Sequence, residues 1–505
     1  MELKVVRKLI DRLNEEGIIY CHWKSNQHVA DAFTSVDDID VLIDQDDILK
    51  LNIILNELDY KRFRLPEKRA YVGIEDYLGF DHEKGVFVHL HLHYQLTLGE
   101  KFLKGYQLPF AKSVLNRRIF DSENNIYISS HEDEMWLLML RSALKLRHRD
   151  RLKFILGKDI FGSSTHAEFK WLQDNCDVNL FHEIVKELFD GNIASLMMSV
   201  YRKNLQYNSV RKLSKAIKEK CRPFKSYTIL GGTVTRWLRE YFRVCQVINN
   251  KIYKSAKSYR RTPIAGGKVI AFLGPDGAGK STIIKEVYNK LHPVMDVNKI
   301  YLGSGDGNSS LMRKPLKASY KYLLKKNILN RKSKKVDESG KTYRVGEDAK
   351  AGVIRKVGQF PWIYTLTRER KRKIKQSRRF RNKGYVVITD RYPQTQVIDM
   401  ADGPRFYLNN NLKHGFPNVL LERFERHSFE LANLVKPDVV IILKVSSSVA
   451  YNRKSNEIEI DSHKELMNKI LNLDFGEDTK RIIIDADQPL EKVSLDTTLA
   501  VWRCL

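Results

Sequence analysis

Between Val269 and Leu291 the chain runs from five apolar residues, Val269 Ile270 Ala271 Phe272 Leu273, through Gly274 Pro275 Asp276 Gly277 Ala278 Gly279 Lys280 Ser281 Thr282, into a helix-like stretch from Ile283 to Leu291. No other feature restricts the fold as tightly. An apolar strand, a G-x-x-x-x-G-K-S loop and a helix, in that order, are the parts a phosphate-binding P-loop needs. Gly274, Gly277 and Gly279 let the backbone wrap so that successive N–H groups point inward, and the helix adds its positive N-terminal end. In such a loop Lys280 meets the β- and γ-phosphates and Ser281 meets Mg²⁺, while Asp276, Ala278 and Thr282 complete the cradle. The pattern predicts a nucleoside triphosphate site; a glycine-rich turn before an ordinary helix is the bland alternative.

At 505 residues the chain exceeds what one core supports, so two or three domains are expected. With 42% hydrophobic residues it can bury real cores, yet no apolar run is long enough to cross a bilayer. Met1 to Glu16 alternates apolar and charged residues like an amphipathic helix rather than a signal peptide, and the expected address is cytoplasmic. Cys21, Cys176, Cys221, Cys245 and Cys504 are far apart, odd in number and without a C-x-x-C pair, which points to reduced thiols.

The formal net charge is +27, and its distribution carries more than its size. Between Arg211 and Arg261 stand fifteen Lys or Arg against Glu219 and Glu240, in what reads as a helical linker. A second cluster spans Arg368 to Lys383 and a third Arg313 to Lys335. Such runs attract polyanions, whether nucleic acid, an anionic membrane surface or a phosphorylated substrate; the alternative is a solvated helix face.

The order of signals gives three regions. Residues 1–158 mix strands and helices, residues 159–265 are helical and basic, and residues 266–505 alternate strand and helix. That alternation predicts an α/β domain whose parallel sheet is flanked by helices. Within it the strand Tyr385 Val386 Val387 Ile388 Thr389 ends at Asp390 Arg391 Tyr392. Ligands of open parallel sheets collect at the carboxyl ends of strands, so Asp390 can reach Mg²⁺ or the acceptor beside the P-loop. Arg391 offers a charged fork to a phosphate.

Together these residues resemble the thymidylate kinase family of P-loop kinases. The carriers are Gly274 to Thr282 with Asp276, the triplet Asp390 Arg391 Tyr392, the strand Lys436 to Leu443 and the closing Ile484 Asp485 Ala486, so the resemblance covers Gly266 to Leu505. It implies ATP- and Mg²⁺-dependent transfer of a γ-phosphoryl group. By the same resemblance Lys280, Asp390, Arg391 and Arg453 are catalytic, Ser281 and Asp390 hold Mg²⁺, Asp276 faces the acceptor, and Arg453 and Lys454 belong to a closing lid. Two departures fall on the acceptor side. Gly303 Ser304 Gly305 Asp306 Gly307 replaces the family's Glu-Pro-Gly-Gly segment, and Lys444 stands where relatives carry an Asp.

The N-terminal region holds Tyr20 Cys21 His22 Trp23 Lys24 Ser25 followed by Asp37 Asp38 Ile39 Asp40 Val41 Leu42 Ile43. Asp38 and Asp40 share one strand face and can hold divalent metal. This resembles the nucleotidyltransferase superfamily, whose third carboxylate lies on a later strand. The candidate strand Val86 to His93 puts Val86, Val88, Leu90 and Leu92 on a core face and Phe87, His89, His91 and His93 on the other, with no acid. Three readings stay open: metal-dependent nucleotidyl transfer, an inactive substrate-binding version, or a histidine metal site.

The resulting expectation is a phosphotransferase acting on a nucleoside monophosphate or other phosphorylated acceptor. Alternatives are a kinase for a sugar, glycan or lipid-linked intermediate, a nucleic-acid end-processing protein, and a regulatory module that grips ATP without turnover.

Overall fold

A computed structural model of the protein describes residues 2–252, 260–303, 334–336, 342–344, 349–408, 418–454 and 459–505. Two compact units divide at Met1–Ile264 and Ala265–Leu505. Ser304 to Gly307 and nearly all of the basic run Arg313 to Lys335 lie outside the described residues.

In the first unit, short β-rich runs separated by turns give β1 (Tyr20–His22), β2 (Ile39–Ile43), β3 (Lys61–Arg64), β4 (Ile74–Asp81), β5 (Val86–His93), β6 (Leu96–Leu98), β7 (Tyr106–Leu108), β8 (Ile119–Asp121), β9 (Ile126–Ile128) and β10 (Thr262–Pro263). Eight of them form a mixed sheet ordered β10-β3-β4-β5-β2-β1-β9-β8, and β6 pairs with β7 apart from it. The period of two along β5 settles its faces. Val88, Leu90 and Leu92 are buried in one core with Leu9 and Leu13 of the helix Lys4–Glu15 and Leu51 and Ile54 of the helix Ile48–Glu57. His89, His91 and His93 therefore project from the other face. Burying a large aliphatic side chain of this kind stabilises by about 1.5–3 kcal/mol.

The helices after Lys158 fold into the same unit. Phe169 of the helix Ser163–Asn175, Phe181 of Val178–Leu188, Met197 of Gly191–Arg202 and Leu213 of Tyr207–Lys220 close around Trp136 and Met139 of the helix His131–Lys145. Asp177 and Asp190 start two of these helices by accepting backbone N–H groups, each such cap contributing about 1 kcal/mol. On the next helix, Ile229–Ile252, three cations of the basic stretch turn to their own unit. Arg236 pairs with Glu100, Arg239 donates to the Phe102 carbonyl and Arg243 lies over the Phe102 ring.

The second unit contains β11 (Lys268–Leu273), β12 (Val297–Tyr301), β13 (Lys334–Val336), β14 (Thr342–Arg344), β15 (Val386–Asp390), β16 (Val439–Lys444) and β17 (Lys480–Asp485). Apart from the β13–β14 ribbon, these strands make one sheet in the order β12-β15-β11-β16-β17, parallel throughout. Val269 to Leu273, Val386 to Asp390 and Val439 to Leu443 are all buried. That matches unbroken apolar runs covered on both faces. The helix Lys280–Leu291 packs with Leu490–Trp502, and Ala349–Arg381 packs with Asn418–Leu434. This is the α/β P-loop architecture that the strand–helix alternation predicts. No helix among the described residues is long and apolar enough to cross a membrane.

Candidate functional site

The central strand β11 ends at Leu273, and the loop that follows turns on glycines because its backbone enters the left-handed region. Gly277 and Gly279 have φ of 86° and 77°, and a Cβ added at Gly274 would meet the Leu443 carbonyl oxygen at 3.0 Å. Gly279 caps the helix Lys280–Leu291, whose first residues are Lys280, Ser281 and Thr282. The Lys280 ammonium is buried and folds back over the loop, donating to the carbonyls of Gly274 at 2.8 Å and Pro275 at 2.7 Å. Burial and the neighbouring Arg391 charge lower it to about 8.

Parallel pairing of β15 with β11 sets Asp390 beside Phe272, two residues before the loop begins at Gly274. Ser281 Oγ donates to Asp390 Oδ2 at 3.3 Å. The other carboxylate oxygen, Oδ1, is buried with no hydrogen-bond partner among the described residues. Arg391 follows at a φ of 70°, with its backbone N–H on the Phe272 carbonyl, which turns the guanidinium across the strand ends. It donates to Asp276 Oδ1 at 2.8 Å and Asp402 Oδ2 at 3.1 Å. Burial opposes the Arg391 charge, but Asp402 and Asp276 outweigh it and raise its pKa. Burial likewise opposes the Asp276 carboxylate, and the charges of Arg391 and Lys280 nonetheless hold it below its ordinary value.

The structure thus brings Asp276, Lys280, Ser281, Asp390 and Arg391 to one end of the sheet. Arg453 ends the helix Ser447–Arg453, where its guanidinium donates to the Ala486 carbonyl at 3.0 Å, beyond β17. One further group, Asp402, escapes sequence reasoning, and it meets Arg370 of the basic cluster. Asp402 is buried in a turn and stands between Arg391 and Arg370, whose Nη2 is 3.7 Å from its Oδ1. Arg370 also donates to the Leu302 carbonyl at 3.2 Å, and Lys373 to the Tyr301 carbonyl at 2.9 Å. The run Arg368 to Lys383 is therefore not a single outward face: Arg370 is 4% exposed, while Arg368, Arg372, Lys375, Arg378 and Arg379 are exposed. An Asp in a Gly-Pro turn gives no periodic signal by which Asp402 would have been found.

In the first unit Asp38 and Asp40 do come together, at the start of β2. Asp40 meets the Lys24 ammonium at 2.8 Å and His93 Nε2 at 3.2 Å. The expectation that no third carboxylate faces this group is corrected. β5 indeed carries none there, but antiparallel pairing of β4 sets Asp76 opposite His91. Burial opposes ionisation of Asp40 and Asp76, yet Lys24 holds Asp40, and hydrogen bonds from His89 and His91 hold Asp76, below the usual carboxylate range.

No family model matches the chain. It is 25% identical over 230 residues to the protein named "Uncharacterized ATP-binding protein YghR" of Escherichia coli K12, covering 45% of this chain and 83% of that protein. To "Uncharacterized ATP-binding protein YghS" of the same strain it is 28% identical over 194 residues, 38% of this chain and 74% of that one. Among solved structures, deoxyadenosine kinase from M. mycoides with bound dATP matches at 20% identity and a TM-score of 0.27, covering 46% of this chain and 98% of its own.

Proposed function

We propose that the second unit is an ATP-dependent phosphotransferase that moves the γ-phosphoryl group to a phosphorylated acceptor, such as a nucleoside monophosphate. The observation that carries this reading is the meeting of Lys280, Ser281 and Asp390 at the carboxyl ends of β11 and β15, with Arg391 beside them. The names of the two Escherichia coli relatives support its ATP half.

On ATP entry Lys280 exchanges two loop carbonyls for β- and γ-phosphate oxygens, and the loop's N–H groups hold the phosphates in place. Ser281 Oγ and Asp390 would hold Mg²⁺, since the unpaired buried Oδ1 of Asp390 is an acceptor that a divalent cation satisfies. When bound, that ion neutralises charge on the phosphates. An acceptor oxygen then bonds to the γ-phosphorus as the β–γ bridge breaks, and ADP leaves with the electron pair. Arg391, held by Asp276 and Asp402, gives the acceptor side a guanidinium suited to a phosphate.

The test is an acceptor screen with labelled ATP and product mass analysis, spanning nucleoside monophosphates, sugar phosphates, lipid-linked phosphates and oligonucleotide ends. Lys280→Ala should lower turnover about 10²–10³-fold with the fold retained. Unchanged phosphoryl transfer in that variant would remove the site from the reaction; ATP binding with no acceptor labelled in the screen would leave a binding module instead.

A further inference from the structure

The first unit gathers a second set of chemically capable side chains that phosphoryl transfer in the other unit leaves unused. Parallel pairing of β2 with β5 sets Asp40 opposite His91, and antiparallel pairing of β5 with β4 sets Asp76 opposite the same residue. Because side chains alternate along a strand, His89 and His91 emerge together. Asp38, just before β2, comes up beside them.

The two imidazoles divide their nitrogens among three carboxylates, Asp38, Asp40 and Asp76. On one edge, His89 Nδ1 lies 2.8 Å from Asp38 Oδ1, and His91 Nδ1 lies 3.4 Å from Asp40 Oδ1 and 3.7 Å from Asp38 Oδ2. On the other, His89 Nε2 and His91 Nε2 lie 2.7 and 3.2 Å from Asp76 Oδ1. Asp76 is 4% exposed and is held by Arg261 Nε at 3.1 Å. A buried carboxylate that accepts from Nε2–H groups orients both rings, and an ion bound at Nδ1 takes the place of the proton by which His89 bonds Asp38. Arg261 Nη2 is 2.9 Å from His89 Nε2 and 3.2 Å from His89 Nδ1, so the guanidinium that holds Asp76 also borders this ring.

One ligand atom each from Asp38, His89 and His91 falls within 4.8 Å of the others. Donors bound at about 2.0–2.2 Å to one ion stand about 3–3.5 Å apart, so a small contraction closes the site. Asp40 is engaged by Lys24 and His93 as well as by His91 at 3.4 Å, whereas Asp38 is the more exposed carboxylate and, among the described residues, meets the two histidines alone. We propose that Asp38, His89 and His91 bind a divalent transition-metal ion, with Asp76 as the buried carboxylate that orients both imidazoles. Two imidazoles and a carboxylate suit Zn²⁺, Co²⁺ or Mn²⁺ rather than the all-oxygen surroundings of Mg²⁺ or Ca²⁺. This site is independent of the phosphotransferase reading.

The experiment titrates the full untagged chain, stripped with chelator, with Co²⁺ and follows its visible absorption, then displaces Co²⁺ with Zn²⁺. One equivalent with ligand-field bands is expected in the parent. His89→Gln and His91→Gln should each lose that equivalent while far-UV dichroism and ATP binding stay as in the parent. Asp76→Asn should keep the stoichiometry and weaken affinity about 10–100-fold, as loss of an orienting partner does. Absence of a saturable Co²⁺ spectrum in the parent, or titrations of both histidine variants that superimpose on it, would overturn the site. Should the variants fail to fold, Zn²⁺ must protect His91 of the parent from diethylpyrocarbonate, mapped by mass spectrometry; equal modification with and without Zn²⁺ is the contrary result.

Discussion

At the scale of single residues, Gly279 isolates the cost of the loop's geometry. Its φ is 77°, and a Cβ built there meets nothing within 4 Å. Gly279→Ala should therefore destabilise the second unit by the backbone term alone, about 1–2 kcal/mol, with no clash to relieve. Gly279→Asn should recover part of that loss, since Asn tolerates the left-handed region better. Equal denaturation midpoints for glycine and alanine would mean that the loop does not keep this conformation. A different residue reports on pH. Glu134 is buried, accepts from the Asn26 backbone N–H at 3.0 Å and side-chain amide at 2.7 Å, and has its pKa raised first by burial and then by the charge of Glu168. A raised carboxyl pKa means that the folded state holds its proton to higher pH than the unfolded chain does. Its stabilising contribution is thus full below the unfolded value near 4.5 and is lost as pH rises through the folded one. Glu134→Gln should flatten the fall in the first unit's stability between about pH 4.5 and about pH 7, measured by denaturant titration. An unchanged slope in the variant would place the titrating group elsewhere.

Secondary-structure elements decide which charged groups are free to meet a partner. The helix Ala349–Arg381 reads in sequence as one basic cluster near its end, but its period of 3.6 sends neighbouring cations to opposite sides. Arg370 turns inward to Leu302 and Asp402, and Arg381 forks onto Asp438 at 2.6 and 2.8 Å, whereas Arg372 stays exposed. Arg370→Gln should cost about 1.5–3 kcal/mol, the range for a lost charge-assisted bond, while Arg372→Gln should remain within about 0.5 kcal/mol of the parent. Matching losses in thermal unfolding would contradict this division of faces. The same contrast explains what the sequence made legible. Lys280 and Ser281 belong to a motif of fixed local spacing, and Asp390 ends an unbroken apolar strand, so each was found without tertiary knowledge. Asp76 and Asp402 were not. Asp76 reaches His91 only through the register of β4 against β5, and Asp402 reaches Arg391 only through a turn that closes over the strand ends. Neither register nor turn closure leaves a periodic mark in the chain. The mixed first unit was legible in its strand faces, as along β5, but the packing of the helices after Lys158 around Trp136 depends on contacts far apart in sequence.

For the molecule as a whole, two compact units with separate buried cores predict two unfolding transitions in calorimetry. Each proposed ligand should move one of them. A ligand that binds only the folded form, present at about a hundred times its Kd, stabilises by about 2.7 kcal/mol. For units of this size 1 kcal/mol corresponds to about 2–4 °C, so a rise of about 5–10 °C is expected. ATP with Mg²⁺ should lift the transition of the second unit and leave the first in place; Zn²⁺ at low concentration should do the reverse. Lys280→Ala should abolish the ATP-dependent rise and preserve the Zn²⁺-dependent one, and His91→Gln should show the opposite pattern. If ATP and Zn²⁺ moved a single common transition in both variants alike, the two sites would not be the separate entities that Lys280 in one unit and His91 in the other define.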